Sequence, residues 1–507
     1  MTLSPNLGSL IDRSRAMDKI AIIDFDGTKS RDVTYAQLDA LADGIARALT
    51  KRGYKRGDRI AILSANSSDC LAAHFGIMRA GFVSVPINHR LPRKTVDYII
   101  QDSGAPLVFC DDERRPVVPD GIEVVNFDTP DYAAFVDHGP FEAVIPEKGE
   151  PATFLYTSGS TGRPKGVILS HDSQRWVVET RLADRDVEHE RALVAAPLYH
   201  MNALALSHLV LAGHSSMVLM PQFKVQSYVD AIGRFKCTWL TSVPPMIAMM
   251  LDDKKAMATA DLSSVRSLRM GSAPASETLL DEIRRVMPQA RILNAYGTTE
   301  GSPIVFGPHP DGKPTPMLSL GYKHRGADLR IVDANGKETD EGVLEIRSPA
   351  MMNGYHNRPD IPVPFTKDGF YYTGDVFRRD ADGFYYFIGR ADDMFVSGGE
   401  NIFPGEVERM LETHPDVMQS CVVPIDDALK GKKPVAFVRL APGAKIDEAG
   451  LKAYALENGA AYQHPRSIWF LDEFPLASTN KIDRALLASR ARELSDAEKA
   501  ERAHAAQ

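Results

Sequence analysis

The sequence contains few cysteines and no long apolar run. Only four of its 507 residues are cysteine. Cys70, Cys110, Cys237 and Cys421 lie too far apart for the spacing of a zinc site or a disulfide scaffold, so we expect a reducing compartment. No apolar run approaches the roughly 18 residues of a membrane span, and the N-terminal stretch MTLSPNLGSLIDRSR lacks the apolar core of a signal peptide. These absences predict a cytoplasmic protein without an integral membrane segment.

The sequence also lacks an excess of positive charge. It has 67 acidic and 59 basic residues, which are interspersed and give a net charge of −8. No basic surface for nucleic acid or anionic lipid is therefore predicted, and any nucleotide must be held by a local site. A chain of 507 residues is also too long for one hydrophobic core, so we expect two or more domains.

What the sequence does contain is an alternation of short apolar runs and helical patterns. Runs such as RIAILSA, GFVSVPI and TWLTSV end in polar, glycine or proline residues, and stretches such as SETLLDEIRRVM have apolar residues at every third or fourth position. From about Ala327 the pattern changes to paired strands, with DANG and DADG as the reversals. After Arg390 a further unit of strands and helices begins, and its length of about 115 residues suffices for a small domain.

The predicted fold class is accordingly α/β. We expect a large N-terminal domain at residues 1–390, made of α/β sheets and a β-rich subdomain at about 327–390. A small α+β C-terminal domain is expected at 391–507.

One stretch, residues 157–171, reads TSGSTGRPKGVILSH. Glycines let backbone N–H groups turn toward an oxyanion, hydroxyls add donors and a lysine adds charge, so this composition suits phosphate. The stretch does not match the nucleotide loop G-x-x-x-x-G-K-[ST], because Arg163 and Pro164 separate Gly162 from Lys165. It follows the apolar run ATFLYT, and ligands of α/β sheets bind at the carboxyl ends of strands. We therefore expect a phosphate site of another kind.

Four more motifs follow in order: NAYGTTEG (294–301), YYTGDV (371–376), GRADDMFVSGGEN (389–401) and STNKIDR (478–484). Together with the phosphate loop they resemble the adenylate-forming superfamily, and its acyl-CoA synthetase or carboxylate–CoA ligase branch, over nearly the whole chain. The resemblance implies that ATP activates a carboxylate to an acyl-adenylate with release of pyrophosphate. The thiol of coenzyme A then takes the acyl group and AMP is released.

Other activities share these ATP motifs. A stand-alone adenylation enzyme would load a separate carrier protein, and a luciferase-like oxygenase would have every motif. A non-enzymatic ATP-binding protein is disfavoured, because it would not need Lys481, Glu300 and a hinge together. The implied partners are a small carboxylic acid, ATP and coenzyme A, without nucleic acid, and a homodimer is left open.

The resemblance assigns ATP or AMP contacts to residues from several motifs. The loop contacts the β- and γ-phosphates, Tyr296 stacks on adenine and Thr299 bonds the α-phosphate. Asp375 accepts both ribose hydroxyls with support from Arg390, and Glu300 is a hard oxygen ligand for Mg²⁺. The full set for the nucleotide is Thr157, Ser158, Gly159, Thr161, Lys165, Tyr296, Thr299, Asp375 and Arg390.

Taken singly, each of these residues has a plainer explanation. Glycine and serine runs are common surface turns. Tyr296 alone would be read as a core aromatic, Asp375 as a turn residue after Gly374, and Arg390 as a surface charge. Their occurrence together, in the order of the motifs, favours the nucleotide site.

Residues of the C-terminal unit are assigned by the same resemblance, which makes that domain mobile about a hinge at Asp392. Lys481 would contact the acyl carboxylate and the α-phosphate, since a compact cation offsets the repulsion between two anions. This sequence has Asn480 where the family usually has glycine. With Lys481, the catalytic candidates are Thr299, His200 and Gly399.

The coenzyme A site is implied to use the same domain in a second orientation. Gly398 and Gly399 would line the thiol tunnel without obstructing side chains, although an ordinary strand-to-helix turn explains them equally well in isolation. Tyr462, His464 and Arg466 lie where ligases contact the coenzyme nucleotide.

The acyl group is predicted from an absence of charge. Between Ala195 and Pro221 there is no Asp, Glu, Lys or Arg, so an α-amino acid lacks an acidic partner, and the arginine that a dicarboxylate requires is not evident. An uncharged aromatic or fatty monocarboxylate is therefore expected. The resemblance implies that the ring of His200 stands between the acyl site and the thiol tunnel. The candidates for the acyl pocket are His200, Asn202, Gly271, Ser272, Ala273 and Gly297.

Overall fold

The computed structural model describes residues 3–157, 163–271, 275–427, 429–477 and 482–505. Within these ranges the strands form four sheets, of which three precede Arg390 and one follows it. Helices cover the first two sheets, as the predicted α/β alternation requires. None of the described helices combines the length and the apolarity needed to cross a membrane.

The first sheet contains mainly parallel strands in the spatial order β13-β12-β11-β9-β10-β1-β2. Its inner strands β9, β10, β11 and β12 are short and mainly buried, whereas the edge strands β2 and β13 are exposed or half-buried. Parallel neighbours require crossovers between them, which are usually helical. The strands are β1 (Ile20–Phe25), β2 (Ser30–Thr34), β9 (Arg191–Val194), β10 (Ser216–Leu219), β11 (Trp239–Ser242), β12 (Ser267–Gly271) and β13 (Arg291–Ala295).

The second sheet has the order β18-β8-β7-β4-β3-β5-β6. Its strands are β3 (Arg59–Leu63), β4 (Val83–Pro86), β5 (Leu107–Cys110), β6 (Glu123–Asn126), β7 (Pro151–Thr157), β8 (Lys165–Ser170) and β18 (Gly354–Tyr355). The strands β7 and β8 are antiparallel and are joined by the glycine-rich loop, while β18 comes from much later in the chain and pairs antiparallel with β8.

The third sheet is antiparallel, with the order β14-β15-β20-β19-β17-β16. Its strands are β14 (Phe306–Gly307), β15 (Gly321–Lys323), β16 (Asp328–Val332), β17 (Glu341–Arg347), β19 (Tyr371–Arg379) and β20 (Phe384–Arg390). The two predicted reversals join β16 to β17 and β19 to β20. The sheet begins at Phe306, before the expected start near Ala327, because its first strands are too short to show an alternating pattern.

The fourth sheet lies in the C-terminal unit and has the order β22-β21-β24-β23, with β25 parallel to β24. Its strands are β21 (Phe395–Ser397), β22 (Glu400–Ile402), β23 (Val417–Asp427), β24 (Gly431–Leu440) and β25 (Ile468–Phe470). The expected glycine loop between a strand and a helix is instead the turn of the β21–β22 hairpin.

The helices lie between these strands and form the outer layers. They are α1 (Tyr35–Lys51), α2 (Ser68–Arg79), α3 (Arg93–Ser103), α4 (Pro130–Phe135), α5 (His171–Asp184), α6 (Met201–Ala212), α7 (Val225–Phe235), α8 (Pro244–Asp252), α9 (Lys254–Ala258), α10 (Glu277–Val286), α11 (Pro404–Glu412), α12 (Glu448–Asn458) and α13 (Arg484–Ala505). Two positions matter for the site: α5 begins directly after β8 with Ser170 as its cap, and α6 begins directly after His200.

Candidate active site

The phosphate-loop candidates lie where the β7–β8 hairpin turns. Thr157 is the last residue of β7 and Lys165 the first of β8, and the two are partners in the antiparallel register. Both side chains are half-buried. The residues between them that carried the prediction, Ser158, Gly159 and Thr161, lie outside the described residues.

Glu300 faces this hairpin from a tight turn after β13. Backbone hydrogen bonds between Thr298 and Ser302 close the turn and place Thr299 and Glu300 at its corner. The hydroxyl of Thr157 donates to Glu300 Oε1 at 3.4 Å. The structure thus brings the predicted metal ligand against the end of the phosphate loop.

Tyr355 on β18 completes this group. Its hydroxyl also donates to Glu300 Oε1, at 3.5 Å. Lys165 Nζ lies over its ring, 4.8 Å from the ring centroid. Burial raises the pKa of Glu300, while Lys165 and the two hydroxyls act in the opposite direction. Burial destabilises the charged form of Glu300, and a metal cation that binds together with the nucleotide would stabilise it.

A second group surrounds Asp375 on β19. Tyr296 donates its hydroxyl to Asp375 Oδ2, and Arg390 donates Nη1 to Asp375 Oδ1 at 3.1 Å. Arg390 also donates to both carboxylate oxygens of the predicted hinge residue Asp392, at 2.9 and 3.1 Å. Burial raises the pKa of Asp375, and the contacts with Tyr296 and Arg390 oppose that rise.

The ring of Tyr296 packs against aromatic residues of the third sheet. Its centroid lies 4.9 Å from that of Phe377 in an edge-to-face arrangement and 6.0 Å from that of Phe306. The residue is half-buried, so part of its surface remains accessible. The stacking of its ring on adenine stays a prediction.

Tyr371 lies between the two groups. Tyr371 and Asp375 lie on β19 four positions apart and on the same face, and a Cβ added to Gly301, next to Glu300, would stand 2.8 Å from the ring of Tyr371. Burial raises the pKa of the Tyr371 hydroxyl, and the charges of Glu300 and Asp375 raise it further. The phosphate-side residues and the ribose-side residues are therefore neighbours on either side of Tyr371.

The described acyl-pocket candidates are also brought together. His200 precedes α6, Asn202 lies in its first turn, and Gly271 ends β12. Gly297 lies so close to the chain that an added Cβ would stand 2.8 Å from the Cα of Pro303, which explains the requirement for glycine. Ser272 and Ala273 lie outside the described residues.

The structure places an arginine among these residues, contrary to the expectation that none is present. Arg269 on β12 donates Nη1 to Asn202 Oδ1 at 2.8 Å. The expectation rested on the absence of charge between Ala195 and Pro221 and on describing a later segment, RMGSAP (269–274), as mainly apolar or small, although Arg269 is its first residue. The structure therefore removes the argument against a dicarboxylate.

The coenzyme A candidates cluster at one end of the fourth sheet. Gly398 and Gly399 form the exposed turn of the β21–β22 hairpin with φ of 61° and 92°, values that strongly favour glycine. Gly398 donates its N–H to the carbonyl of Lys430 at 3.0 Å. In the segment before β25, Arg466 Nη1 donates to His464 Nδ1 at 2.9 Å.

The start of β24 joins these two parts of the cluster, because Ser397 pairs with Gly431 and the N–H of Arg466 donates to the carbonyl of Pro434 at 2.8 Å. Burial lowers the pKa of His464, and the charges of Arg466, Lys452 and Lys430 lower it further. The predicted turn and the predicted nucleotide contacts thus share a basic neighbourhood, although Tyr462 packs partly against the apolar core of the C-terminal unit. Lys481 lies outside the described residues.

The C-terminal unit contacts the preceding sheets at a few polar points. Arg409 on α11 donates to the carbonyls of Phe387 and Ile388 on β20, at 3.1 and 3.2 Å. Arg439 on β24 forms an ion pair with Asp252 at the end of α8. Sequence reasoning could not identify this interface, since it depends on how the two parts are oriented.

Three functional candidates were missed by the sequence argument: Arg269, Tyr355 and Tyr371. Tyr355 lies in a two-residue strand, and Arg269 lies in the middle of an apolar run. Only Tyr371 carried a signal, because it opens the YYTGDV motif.

Comparisons with known families match two parts of the chain. The AMP-binding enzyme family matches residues 12–356, and the AMP-binding enzyme C-terminal domain matches residues 406–481. The chain belongs to the AMP-binding enzyme family. This family uses ATP and coenzyme A as co-substrates.

Similar proteins cover nearly all of the chain. The feruloyl-CoA synthase of Amycolatopsis sp is 31% identical over 467 residues, which are 89% of this chain and 92% of that protein. The sulfoacetate–CoA ligase of Cupriavidus necator is 30% identical over 484 residues, covering 90% and 92%. The crystal structure of the anthranilate CoA ligase AuaEII in complex with anthranoyl-AMP superposes with a TM-score of 0.88 at 26% identity, covering 97% of this chain and 98% of that one.

Proposed function

We propose that this protein is an AMP-forming acid–thiol ligase that converts a small carboxylic acid, ATP and coenzyme A to an acyl-CoA thioester, AMP and pyrophosphate. The observation that carries the proposal is the placing of two groups on either side of Tyr371. One contains Lys165, Glu300 and the hydroxyls of Thr157 and Tyr355, and the other contains Asp375 held by Tyr296 and Arg390. Carrier-protein loading is the less favoured alternative: the fatty acid–[acyl-carrier-protein] ligase ScoC of Streptomyces coeruleorubidus is 32% identical over 483 residues, but feruloyl-CoA synthase and sulfoacetate–CoA ligase are named for coenzyme A.

The first half-reaction would join the carboxylate to the α-phosphate. Lys165 and the loop would hold the β- and γ-phosphates, Thr299 the α-phosphate, and Asp375 the ribose. Glu300 would hold Mg²⁺, which when bound supplies positive charge to the phosphate oxygens. Groups of three or more metal-ligating side chains are absent from the described part of the chain, so one carboxylate, ATP and water would form the coordination sphere, as Mg²⁺ commonly accepts.

The second half-reaction would use the C-terminal unit. We treat residues 1–390 and 391–507 as two domains, with Asp392 as the hinge, so that Lys481 serves adenylation and the turn at Gly398 and Gly399 serves thioester formation. The contacts of Arg390 with both Asp375 and Asp392 support a hinge next to the ribose site.

The relatives do not determine the acyl group. Feruloyl-CoA synthase is named for an aromatic acyl group and sulfoacetate–CoA ligase for an acid with a second anion. We expect this protein to activate a carboxylic acid as these relatives do, and to act in the cytoplasm. Whether the enzyme is a homodimer is tested by light scattering on the purified protein.

The test of the proposed function is product formation. Pyrophosphate and AMP should be measured across a panel of carboxylic acids, with and without coenzyme A. Glu300→Gln should lose adenylation by about two powers of ten or more, the scale of removing one preorganised charged contact. The control is Glu338→Gln at an exposed turn of the third sheet. Full activity of the Glu300 variant would contradict the metal assignment.

The two half-reactions should separate by mutation. Gly399→Leu should retain pyrophosphate release and lose thioester formation, whereas Lys481→Ala should show the reverse with a supplied acyl-adenylate. Because Gly399 has a positive φ, any side chain also strains the turn. Gly443→Leu is the matched control: Gly443 has a φ of 83°, is exposed, and belongs to the same unit. Equal loss in both glycine variants would argue against the coenzyme role.

A further inference from the structure

Arg269 is a cation whose described surroundings contain no balancing anion. Its recorded hydrogen bonds go to two neutral oxygens, Asn202 Oδ1 at 2.8 Å and the carbonyl of Pro303 at 3.5 Å. A guanidinium has five N–H donors, so these bonds leave donors for another acceptor. Cations that are withdrawn from water are normally paired with a carboxylate.

The nearby charge has the same sign. Burial lowers the pKa of Arg269 to about 9, and the positive charge of Arg181 on α5 lowers it further, so the guanidinium is protonated at neutral pH. Burial also lowers the pKa of Arg181, while the charge of Asp184 on the same helix acts in the opposite direction, so Arg181 has an anion near it. Arg269 is therefore the cation that an incoming anion would stabilise.

Each described acyl-pocket candidate is linked to Arg269 by a contact or by a nearby position in the chain. Asn202 bonds it directly, and His200 is two residues before Asn202. Gly271 lies two positions further along the same strand, on the same face. Gly297 packs on Pro303, whose carbonyl accepts from Arg269. The arginine therefore lies beside the pocket.

Its place along the strand gives the orientation. Thr157 is the last residue of β7, and Thr299 and Glu300 follow the carboxyl end of β13, whereas Arg269 is in the middle of β12, two residues before the strand ends at Gly271. An acid whose carboxylate meets the α-phosphate would extend its other end toward the interior of the sheet. The group that Arg269 can reach is thus the far end of the acyl chain.

We propose that the substrate carries a second anionic group, such as a carboxylate, and that Arg269 binds it at the end of the acyl pocket remote from the reacting carboxylate. This inference rests on the proposed function, since it concerns the acid that is adenylated. It replaces the uncharged acyl group expected from the sequence. A guanidinium binds a carboxylate with two parallel hydrogen bonds, which gives both energy and direction.

The test compares acids that differ only in the charge of the far end. Succinate, glutarate and terephthalate are each paired with their monomethyl ester, and acid-dependent pyrophosphate release is measured as kcat/KM. At least one diacid should exceed its ester by about 10- to 100-fold, the range supplied by one hydrogen bond to a charged group. Arg269→Met should remove that preference, and Arg269→Lys should retain part of it.

Arg59→Met is the control, because Arg59 is half-buried and also donates to backbone carbonyls. Preference of the wild type for every ester would overturn the inference and leave the proposed function standing, and this comparison does not depend on the folding of any variant. An equal loss for acids and esters in Arg269→Met would assign Arg269 to the reacting carboxylate, which also overturns it. Failure to activate any acid, with AMP still bound, would overturn the proposed function and the inference together.

Discussion

Replacing Tyr296 by phenylalanine isolates one contact of the ribose site. The substitution keeps the ring that packs on Phe306 and Phe377 and removes only the hydroxyl that donates to Asp375 Oδ2. Arg390 would then be the remaining side-chain donor recorded for Asp375. We expect weaker nucleotide binding because a less well positioned carboxylate is a poorer acceptor for the ribose hydroxyls.

The size of the effect follows from the kind of hydrogen bond. A hydrogen bond to a charged group contributes about 1.5–3 kcal/mol, so the dissociation constant for AMP should rise by about 10- to 100-fold. The pH dependence has a defined sign. Burial raises the pKa of Asp375 and the tyrosine hydroxyl opposes that rise, so its removal raises the pKa further. Affinity of the variant should therefore improve as the pH increases from the acidic side.

Calorimetry with AMP and its 2′- and 3′-deoxy analogues measures this effect. If Tyr296 acts through Asp375, deleting a ribose hydroxyl should cost less in Tyr296→Phe than in the wild type, because the two changes are coupled. The control is Tyr372→Phe on β19, the strand that contains Asp375, since Tyr372 is 43% exposed. Unchanged AMP binding, or equal penalties for the analogues in both proteins, would refute the reasoning.

Two further predictions concern the C-terminal unit. Burial raises the pKa of Glu412 to about 8, from a reference of 4.5, so folding favours its protonated form and stability should fall as the pH rises between those values. Glu412→Gln retains an acceptor for the Ser420 N–H and should remove that fall, at most about 1.4 kcal/mol per pH unit, as measured by thermal unfolding from pH 5 to 8; an unchanged slope would contradict it. Asp252→Asn should break the ion pair with Arg439 and raise the rate of proteolysis near residue 392 by about two- to fivefold, since exposed pairs contribute up to about 1 kcal/mol. Equal cleavage rates would show that the pair does not hold the two units together.

Local patterns predicted much of the fold. The apolar runs before turn residues became strands, and the DANG and DADG reversals became hairpins, because strand alternation and turn chemistry are encoded within a few residues. The nucleotide candidates each follow a strand or lie on one, as ligand-binding residues of α/β sheets commonly do. Their strands belong to three different sheets, so local patterns did not predict how those sheets bring them together.

Long-range pairing was beyond the reach of such patterns. Nothing in the residues around Tyr355 indicates that they join a sheet formed about two hundred positions earlier, and yet this pairing brings Tyr355 to Glu300. Arg269 was missed because its segment, RMGSAP, was judged by its mainly apolar and small residues, and the sequence does not show that this one side chain contacts Asn202. Contacts of this kind depend on register and topology, which local sequence does not specify.

The pairing of β18 with β8 has a consequence for where the chain can be divided. A fragment that ends before Gly354 would leave the outer edge of β8 unpaired, and open strand edges promote association between chains. The family match over residues 12–356 includes β18 but ends before Tyr371, so a fragment cut there would lack β19 and β20, including Asp375. Separate expression of a nucleotide-binding part would therefore have to extend through Arg390, because the second and third sheets interleave along the chain.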